Sequence, residues 1–161
     1  MKTAIYPGTF DPITYGHLDI VVRAAKIFDN VMVAVGENPQ KTTLYNHAER
    51  LELVREAVAE LDLANVSVAY FTGLLAKFAE ETGAVAIIRG LRAVSDFEHE
   101  FQMALANRRL FPDAETVFFM PSEPFVYLSS SMVKTIAANY GDVSQFVPKV
   151  VEKALLKKYG G

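Results

Sequence analysis

Four short stretches of this 161-residue chain carry residue types suited to gripping an anion. The first is Thr9-Phe10-Asp11-Pro12-Ile13-Thr14-Tyr15-Gly16-His17, which runs into a helical pattern. The start of a helix presents unpaired backbone N–H groups and a positive field. Gly16 lets the backbone come close to a phosphate, and His17 in the first turn has a ring N–H to donate to a phosphoryl oxygen. The same residues also read as a plain turn shaped by Pro7-Gly8 and Asp11-Pro12, with His17 on the surface; composition alone does not separate the two.

The second stretch is Arg89-Gly90-Leu91-Arg92, placed just after an apolar run. Arginine offers a planar fork of donors that matches phosphate oxygens. The alternative is a solvated basic turn. The third is Leu128-Ser129-Ser130-Ser131 at a helix start. One serine there is an ordinary N-cap; three in a row place several hydroxyls and N–H groups at one helix end, which suits a polyphosphate. The fourth is Lys41, within Gly36-Glu37-Asn38-Pro39-Gln40-Lys41-Thr42. This stretch lacks the second glycine before the lysine that a Walker A loop needs, so Lys41 reads as a mobile lysine over a cleft or as a solvated one.

Other chemistries find little support. His47 and His99 stand apart in sequence, without metal-ligand spacing, and read as surface residues. Glu100, taken alone, is a solvated helix charge. There is no Gly-x-Ser-x-Gly elbow and no Gly-x-Gly-x-x-Gly fingerprint. The chain has no cysteine, which removes disulfides, thiolate nucleophiles and thiolate-bound metals.

The elements that must position these residues follow from the apolar pattern. Residues 4–6, 31–35, 66–70, 85–88 and 117–120 are short runs rich in Val, Ile and Phe, without clean alternation, as in strands covered on both faces. Between them lie helical patterns. Leu18, Val21, Ala25 and Phe28 share one face, and Leu51, Val54, Val58 and Leu61 another. Asn46 with Glu49, and Ser95 with Glu98, have capping-box spacing. A short helix holds Leu74, Leu75 and Phe78 and stops at Gly83; a longer one holds Phe97, Phe101 and Leu105. Residues 129–140 read as a helix ended by Gly141, and a last helix begins at Pro148. The order β-α-β-α-β-α-β-α-β-α-α predicts a single domain over residues 1–161 with a C-terminal helical segment from about residue 142. Its architecture is an α/β, doubly wound, five-stranded parallel sheet of order 3-2-1-4-5, with right-handed crossovers. The irregular pieces 7–16, 36–45 and 121–128 all follow strands, and the carboxyl ends of strands are where open α/β sheets bind ligands. Three anion-friendly clusters thus fall after strands one, four and five, on one sheet edge.

Composition sets the outer bounds. A formal net charge of -3 argues against a nucleic-acid partner, although an acidic chain can still hold a local basic pocket. No run is long enough for a membrane span and the amino terminus lacks a signal-peptide pattern, so a cytosolic location is expected.

With these residues in view, the chain resembles a nucleotidyltransferase family. Thr9 to His17 is similar to its T-x-G-H signature, with Thr14 where many relatives carry a first histidine, and Leu128 to Ser131 is similar to its I-S-S-S motif. Arg89-Gly90-Leu91-Arg92 followed by Asp96-Phe97-Glu98 narrows the resemblance to bacterial phosphopantetheine adenylyltransferases, in motif order and over essentially the whole length. Three positions depart from wider relatives: Phe125 replaces a larger aromatic, Gly73 a polar residue, and Lys134 an arginine.

The resemblance implies a Rossmann-like fold and a reversible, direct transfer of the adenylyl group of ATP to 4′-phosphopantetheine, with no covalent intermediate. The products are dephospho-coenzyme A and pyrophosphate. It implies Mg2+ carried on the ATP phosphates with no protein ligands, a homohexamer, and coenzyme A as a candidate feedback ligand. It assigns His17 to charge on the α-phosphate, and Lys41 and Arg89 to the acceptor's phosphate. Thr9, Phe10, Gly90, Leu91, Arg92, Glu100, Phe125, Val126, Tyr127, Leu128, Ser129, Ser130 and Ser131 fall on the ATP side. Thr9, Leu74 and Leu75 also fall on the acceptor side. A sister transferase with another phosphorylated acceptor and a non-catalytic nucleotide sensor are the competing readings.

Overall fold

Short buried strands alternate with helices along the whole chain, and the computed structural model, which describes residues 1–92 and 94–160, realises that alternation as a parallel sheet flanked on both faces. The strands are β1 (Thr3–Gly8), β2 (Asn30–Gly36), β3 (Val66–Phe71), β4 (Ala86–Gly90) and β5 (Glu115–Phe119). The helices are α1 (Tyr15–Ala25), α2 (His47–Ala59), α3 (Leu75–Thr82), α4 (Val94–Leu110), α5 (Ser130–Ala138) and α6 (Lys149–Tyr159), with a 3-10 turn over Glu123–Phe125. The sheet order is β3-β2-β1-β4-β5, all parallel, as the sequence predicts. Strand order reverses at β1, whose neighbours are β2 and β4, so the ends of β1 and β4 flank the switch-point crevice.

Alternation along β1 divides the core. Ala4 and Tyr6 face a large apolar layer with Val21 and Ala24 of α1, Val54 of α2, Val133 of α5 and Leu155 of α6. Ile5 faces a smaller layer with Ile87, Ala79 of α3, Ala84 and Ala114. The second layer is thinly covered: Phe97, Phe101, Met103, Leu105 and Leu110 of α4 remain exposed.

Local signals explain most element ends. Asn46 caps α2 and exchanges hydrogen bonds with Glu49, at 2.9 and 2.8 Å, as its spacing predicts. Gly83 closes α3 with φ of 65°, which costs glycine little. The side chain of Ser95, on which the cap expected for α4 rests, is not among those described.

Some boundaries differ from expectation. Pro7 and Gly8 do not turn; they complete β1, pairing with Ala34 and Val35 of β2. Gly8 is needed there because a Cβ would sit 2.8 Å from the Phe10 ring. Arg89 and Gly90 are the last residues of β4, not a following turn. Phe28 lies beyond α1, and Ala24 takes the fully buried position expected of Ala25. Helix α5 ends at Ala138, and the left-handed residue after it is Tyr140, with φ of 61°. Pro148 caps α6, whose first residue is Lys149.

Candidate active site

Helix α1 begins with a capping box in which histidine takes the place usually held by glutamate. The Thr14 N–H donates to Nδ1 of His17 at 3.0 Å, and the Thr14 hydroxyl lies 3.1 Å from the same nitrogen. The His17 N–H donates to Thr14 Oγ1 at 3.4 Å. A ring nitrogen that accepts a backbone N–H carries no proton, so the neutral imidazole holds its proton on Nε2. Burial, reinforced by Arg92 and Arg89, pushes the His17 pKa down to about 4. At neutral pH His17 is therefore an uncharged donor through Nε2.

Phe10 fixes the other side of that ring. Its centroid is 5.0 Å from His17 and 5.5 Å from Tyr6, both edge-on. Phe10 is buried with φ of 51°, a left-handed conformation that costs a bulky residue free energy and persists here under packing from both rings.

The two arginines converge on the same crevice. Arg89 forms a fork–fork pair with Glu100, Nε to Oε2 at 2.8 Å and Nη2 to Oε1 at 2.7 Å. Its Nη1 donates to the Pro7 carbonyl at 3.3 Å, tying the end of β4 to the end of β1. Burial opposes the Arg89 charge, but the Glu100 carboxylate outweighs it and holds the guanidinium above its ordinary pKa. Three of the five guanidinium N–H groups are thus engaged and two remain for a ligand. Glu100, buried on α4, is placed against Arg89. Arg92 lies 3.5 Å from Asp96 and donates to the Leu128 carbonyl at 3.4 Å, reaching across to the serine motif. Gly90 and Leu91 lie between them, with the Leu91 N–H bonded to Phe119 O at 3.0 Å.

The serine run divides its labour. Ser129 caps α5, its Oγ accepting from the Met132 N–H at 3.1 Å. The Ser130 hydroxyl donates to Pro12 O at 2.7 Å, fastening α5 to the β1–α1 loop. Ser131 is exposed. The Ser130 and Ser131 amides, ahead of Met132 in the first turn, have no hydrogen-bond partner among the described residues and stay available to an anion. Upstream, Phe125 and Val126 are half-buried, Tyr127 is 90% exposed and Leu128 is buried in the core. Their loop is held to α1 by Asp19, which accepts from Ser122 Oγ at 2.8 Å, and by Arg23, which donates to Met120 O at 2.6 Å.

Gly16 is informative because the chain does not need it. A Cβ there would meet Thr14 Oγ1 at 3.4 Å, Leu128 at 3.6 Å and Phe125 at 3.7 Å, all ordinary contacts. A methyl would just fit among these three neighbours, so packing does not call for glycine at this first turn, whose bare backbone suits an anion drawn onto the helix terminus.

The remaining expected residues lie farther along the same edge. Lys41 is exposed on the loop after β2, and Thr9 follows β1 directly. Leu74 and Leu75, expected on one wall, face two hollows. Leu74 lines one of about 350 Å³ with Tyr70, Phe71 and Lys77. Leu75 lines one of about 100 Å³ with Arg89, Glu100, Met103 and Asn107. Sequence reasoning missed Asn107, a buried amide beside Arg89, because one asparagine in a long helix carries no pattern. It also missed Asp11 and Arg50, both buried. Lys134 is engaged by Asp11 at 2.9 Å. Histidine 47 behaves as the surface residue expected, stacked on Tyr70 at 5.1 Å. Among the described residues no three His, Asp or Glu side chains gather in a way that would hold a metal ion.

A parallel sheet with phosphate-suited donors on its carboxyl edge fits a nucleotidyl-transferring class of α/β protein, and the chain belongs to the cytidylyltransferase-like family, whose model matches residues 5–136. A structure described as a nicotinate-nucleotide adenylyltransferase from Vibrio parahaemolyticus has the same fold: the TM-score is 0.69 at 20% identity, over 97% of this chain and 99% of that one. Closer relatives identify the branch. Phosphopantetheine adenylyltransferase of Methylococcus capsulatus is 57% identical over 99% of this chain and 97% of its own. That of Caldanaerobacter subterraneus is 53% identical over 99% and 98%, and that of Thermodesulfovibrio yellowstonii 55% over 98% and 98%. Within the family the chain is a member of the phosphopantetheine adenylyltransferase group.

Proposed function

We propose that this chain transfers the adenylyl group of ATP to 4′-phosphopantetheine, releasing dephospho-coenzyme A and pyrophosphate in coenzyme A synthesis. The observation that carries this reading is the convergence of a neutral His17 donor, Arg89 and Arg92 on one crevice.

The chemistry needs no base. A phosphomonoester has a second pKa of about 6, so the acceptor is largely dianionic at neutral pH. One of its oxygens attacks the α-phosphorus of ATP in line, a new P–O bond forms, and the bond to the β-phosphate bridging oxygen breaks with its electron pair. No proton has to leave the nucleophile. What the protein supplies is alignment and charge stabilisation. His17 Nε2–H meets the charge growing on the α-phosphoryl oxygens. Arg92 and the amides of Ser129, Ser130 and Ser131 hold the β- and γ-phosphates. Phe10 packs the His17 ring, Gly90 and Leu91 form the floor, and Phe125 to Leu128 wall the nucleotide. The free donors of Arg89, with Lys41 and Thr9, hold the acceptor's phosphate. The arm beyond it lies against Leu75, with the Asn107 amide available to its amide groups, and Leu74 at the outer hollow. Bound on the ATP phosphates, Mg2+ would supply further neutralising charge there; among the described residues no three His, Asp or Glu side chains gather to hold it directly.

Coenzyme A carries the same arm and competes for the same hollow, which makes it a feedback ligand. The protein works in the cytoplasm; no helix among the described residues is long and apolar enough to cross a membrane. The exposed apolar residues of α4 support self-assembly, into the homohexamer that the family resemblance implies.

A pyrophosphate-release assay with purified acceptors tests the reading. The expected order places 4′-phosphopantetheine first, nicotinamide mononucleotide and glycerol 3-phosphate far behind, and unphosphorylated pantetheine inert. If 4′-phosphopantetheine is the poorest phosphorylated acceptor, the assignment fails.

A further inference from the structure

Two buried charges outside the crevice meet on one loop. Arg50 of α2 is only 2% exposed, and the described ion pairs give it no carboxylate. Its donors go to three carbonyls: Nη1 to Thr9 O at 2.7 Å and Gly36 O at 2.9 Å, and Nε to Tyr45 O at 3.3 Å. Asp11, 5% exposed, accepts the Tyr45 N–H at 3.0 Å, the Leu44 N–H at 2.9 Å and Lys134 Nζ at 2.9 Å.

These contacts share a logic. Gly36 and Tyr45 are the two ends of the loop that carries Lys41, and one guanidinium grips both. The same guanidinium grips Thr9, and Asp11 lies two residues farther along that strand-to-helix connection. Residues 37–42, between the pinned ends, are all exposed. The Lys41 loop therefore has a rigid stem and a free apex, and the stem is bonded to the connection that delivers His17. Burying a charge costs free energy that an apolar residue would not incur, and the bonds both charges make to loop backbone point to geometry as their use.

We propose that Asp11 and Arg50 are positioning residues that set Lys41 in register with the His17 loop, so that the acceptor's phosphate is presented to the α-phosphoryl group. The proposal rests on the reading of Lys41 as a grip on that phosphate.

The test compares the full-length protein with Asp11→Asn, Arg50→Lys, Lys41→Ala, Lys134→Met and the double variant Asp11→Asn/Lys41→Ala. Asp11→Asn keeps the shape but leaves one acceptor oxygen where the carboxylate offers one to each of two loop amides. It is expected to raise the KM for 4′-phosphopantetheine about tenfold while ATP affinity changes less than about twofold. Added to Lys41→Ala it should raise that KM less than about twofold further, because the group it positions is gone. Amide exchange at Leu44 and Tyr45 should accelerate in Asp11→Asn while β1 and β2 stay protected. Lys134→Met removes only the α5 contact and should leave the acceptor KM within about twofold. An equal loss of ATP affinity, an unchanged acceptor KM, or full additivity with Lys41→Ala would overturn the proposal. If Asp11→Asn does not fold, Arg50→Lys carries the same comparison, since it keeps the charge and loses the fork. If Lys41→Ala alone leaves the acceptor KM unchanged, the Lys41 reading fails instead; slow exchange at Leu44 and Tyr45 in Asp11→Asn would then refute the pinned stem as well.

Discussion

The Thr14 amide donates to Nδ1 of His17 at 3.0 Å, and this one bond decides which face of the imidazole does chemistry. With Nδ1 engaged by the helix cap, Nε2–H is the nitrogen left to donate. The T-x-G-H pattern thus has a physical meaning: threonine caps the helix and sets the tautomer of the histidine three residues on.

Titration of His17 follows from that arrangement. Its ring should titrate near pH 4 in the free enzyme, against an ordinary value of 6.5. The folded value is lowered, so between these limits the unfolded chain binds the extra proton. This group's contribution to stability is present above pH 6.5 and is lost as pH falls toward 4. Bound ATP places negative charge beside the ring and should move its pKa upward. NMR titration of the ring resonances checks both; a free-enzyme midpoint near 6.5, or a neutral ring protonated on Nδ1, contradicts the account.

Gly16 separates folding from binding. Since a Cβ there meets only ordinary contacts, Gly16→Ala should fold as well as the parent or better, by up to about 1 kcal/mol in a helical position. ATP binding should nevertheless fall at least about tenfold, because the methyl stands beside the first-turn amides that a phosphate must approach. Urea unfolding and ATP titration measure the two quantities. Normal ATP affinity in a stable Gly16→Ala variant would show that no phosphate approaches this backbone.

Arg89 and Glu100 call for a paired experiment. Arg89→Ala leaves a buried carboxylate without its partner, at a cost of about 2 kcal/mol of stability, and also removes donors for the acceptor. Adding Glu100→Gln should restore part of the stability but none of the acceptor use. Recovery of both would mean that Arg89 serves only to neutralise Glu100.

Much of this was legible in residue order. Apolar runs separated by helical patterns give the parallel sheet, and the loops after its strands give the site, because the carboxyl edge collects them. The capping box of Asn46 and Glu49 was visible for the same local reason. What stayed hidden depends on tertiary packing. Arg50 sits in a helix full of charges and reads like any solvated one until α2 docks against the sheet. Asp11 reads as a turn residue beside proline, and its partners come from residues 44, 45 and 134. Glu100 shows no pattern that names Arg89, eleven positions away. Pro7 and Gly8 carry a turn signal that strand pairing overrides.

The most direct test of the account is His17→Ala, measured as single-turnover adenylyl transfer alongside ATP affinity. A donor that acts on charge developing in the transition state should cost about 100- to 1,000-fold in the rate of transfer when removed, with ATP affinity within about threefold of the parent. Equal loss of rate and affinity, or a rate close to the parent's, would contradict the role of His17 at the α-phosphoryl group.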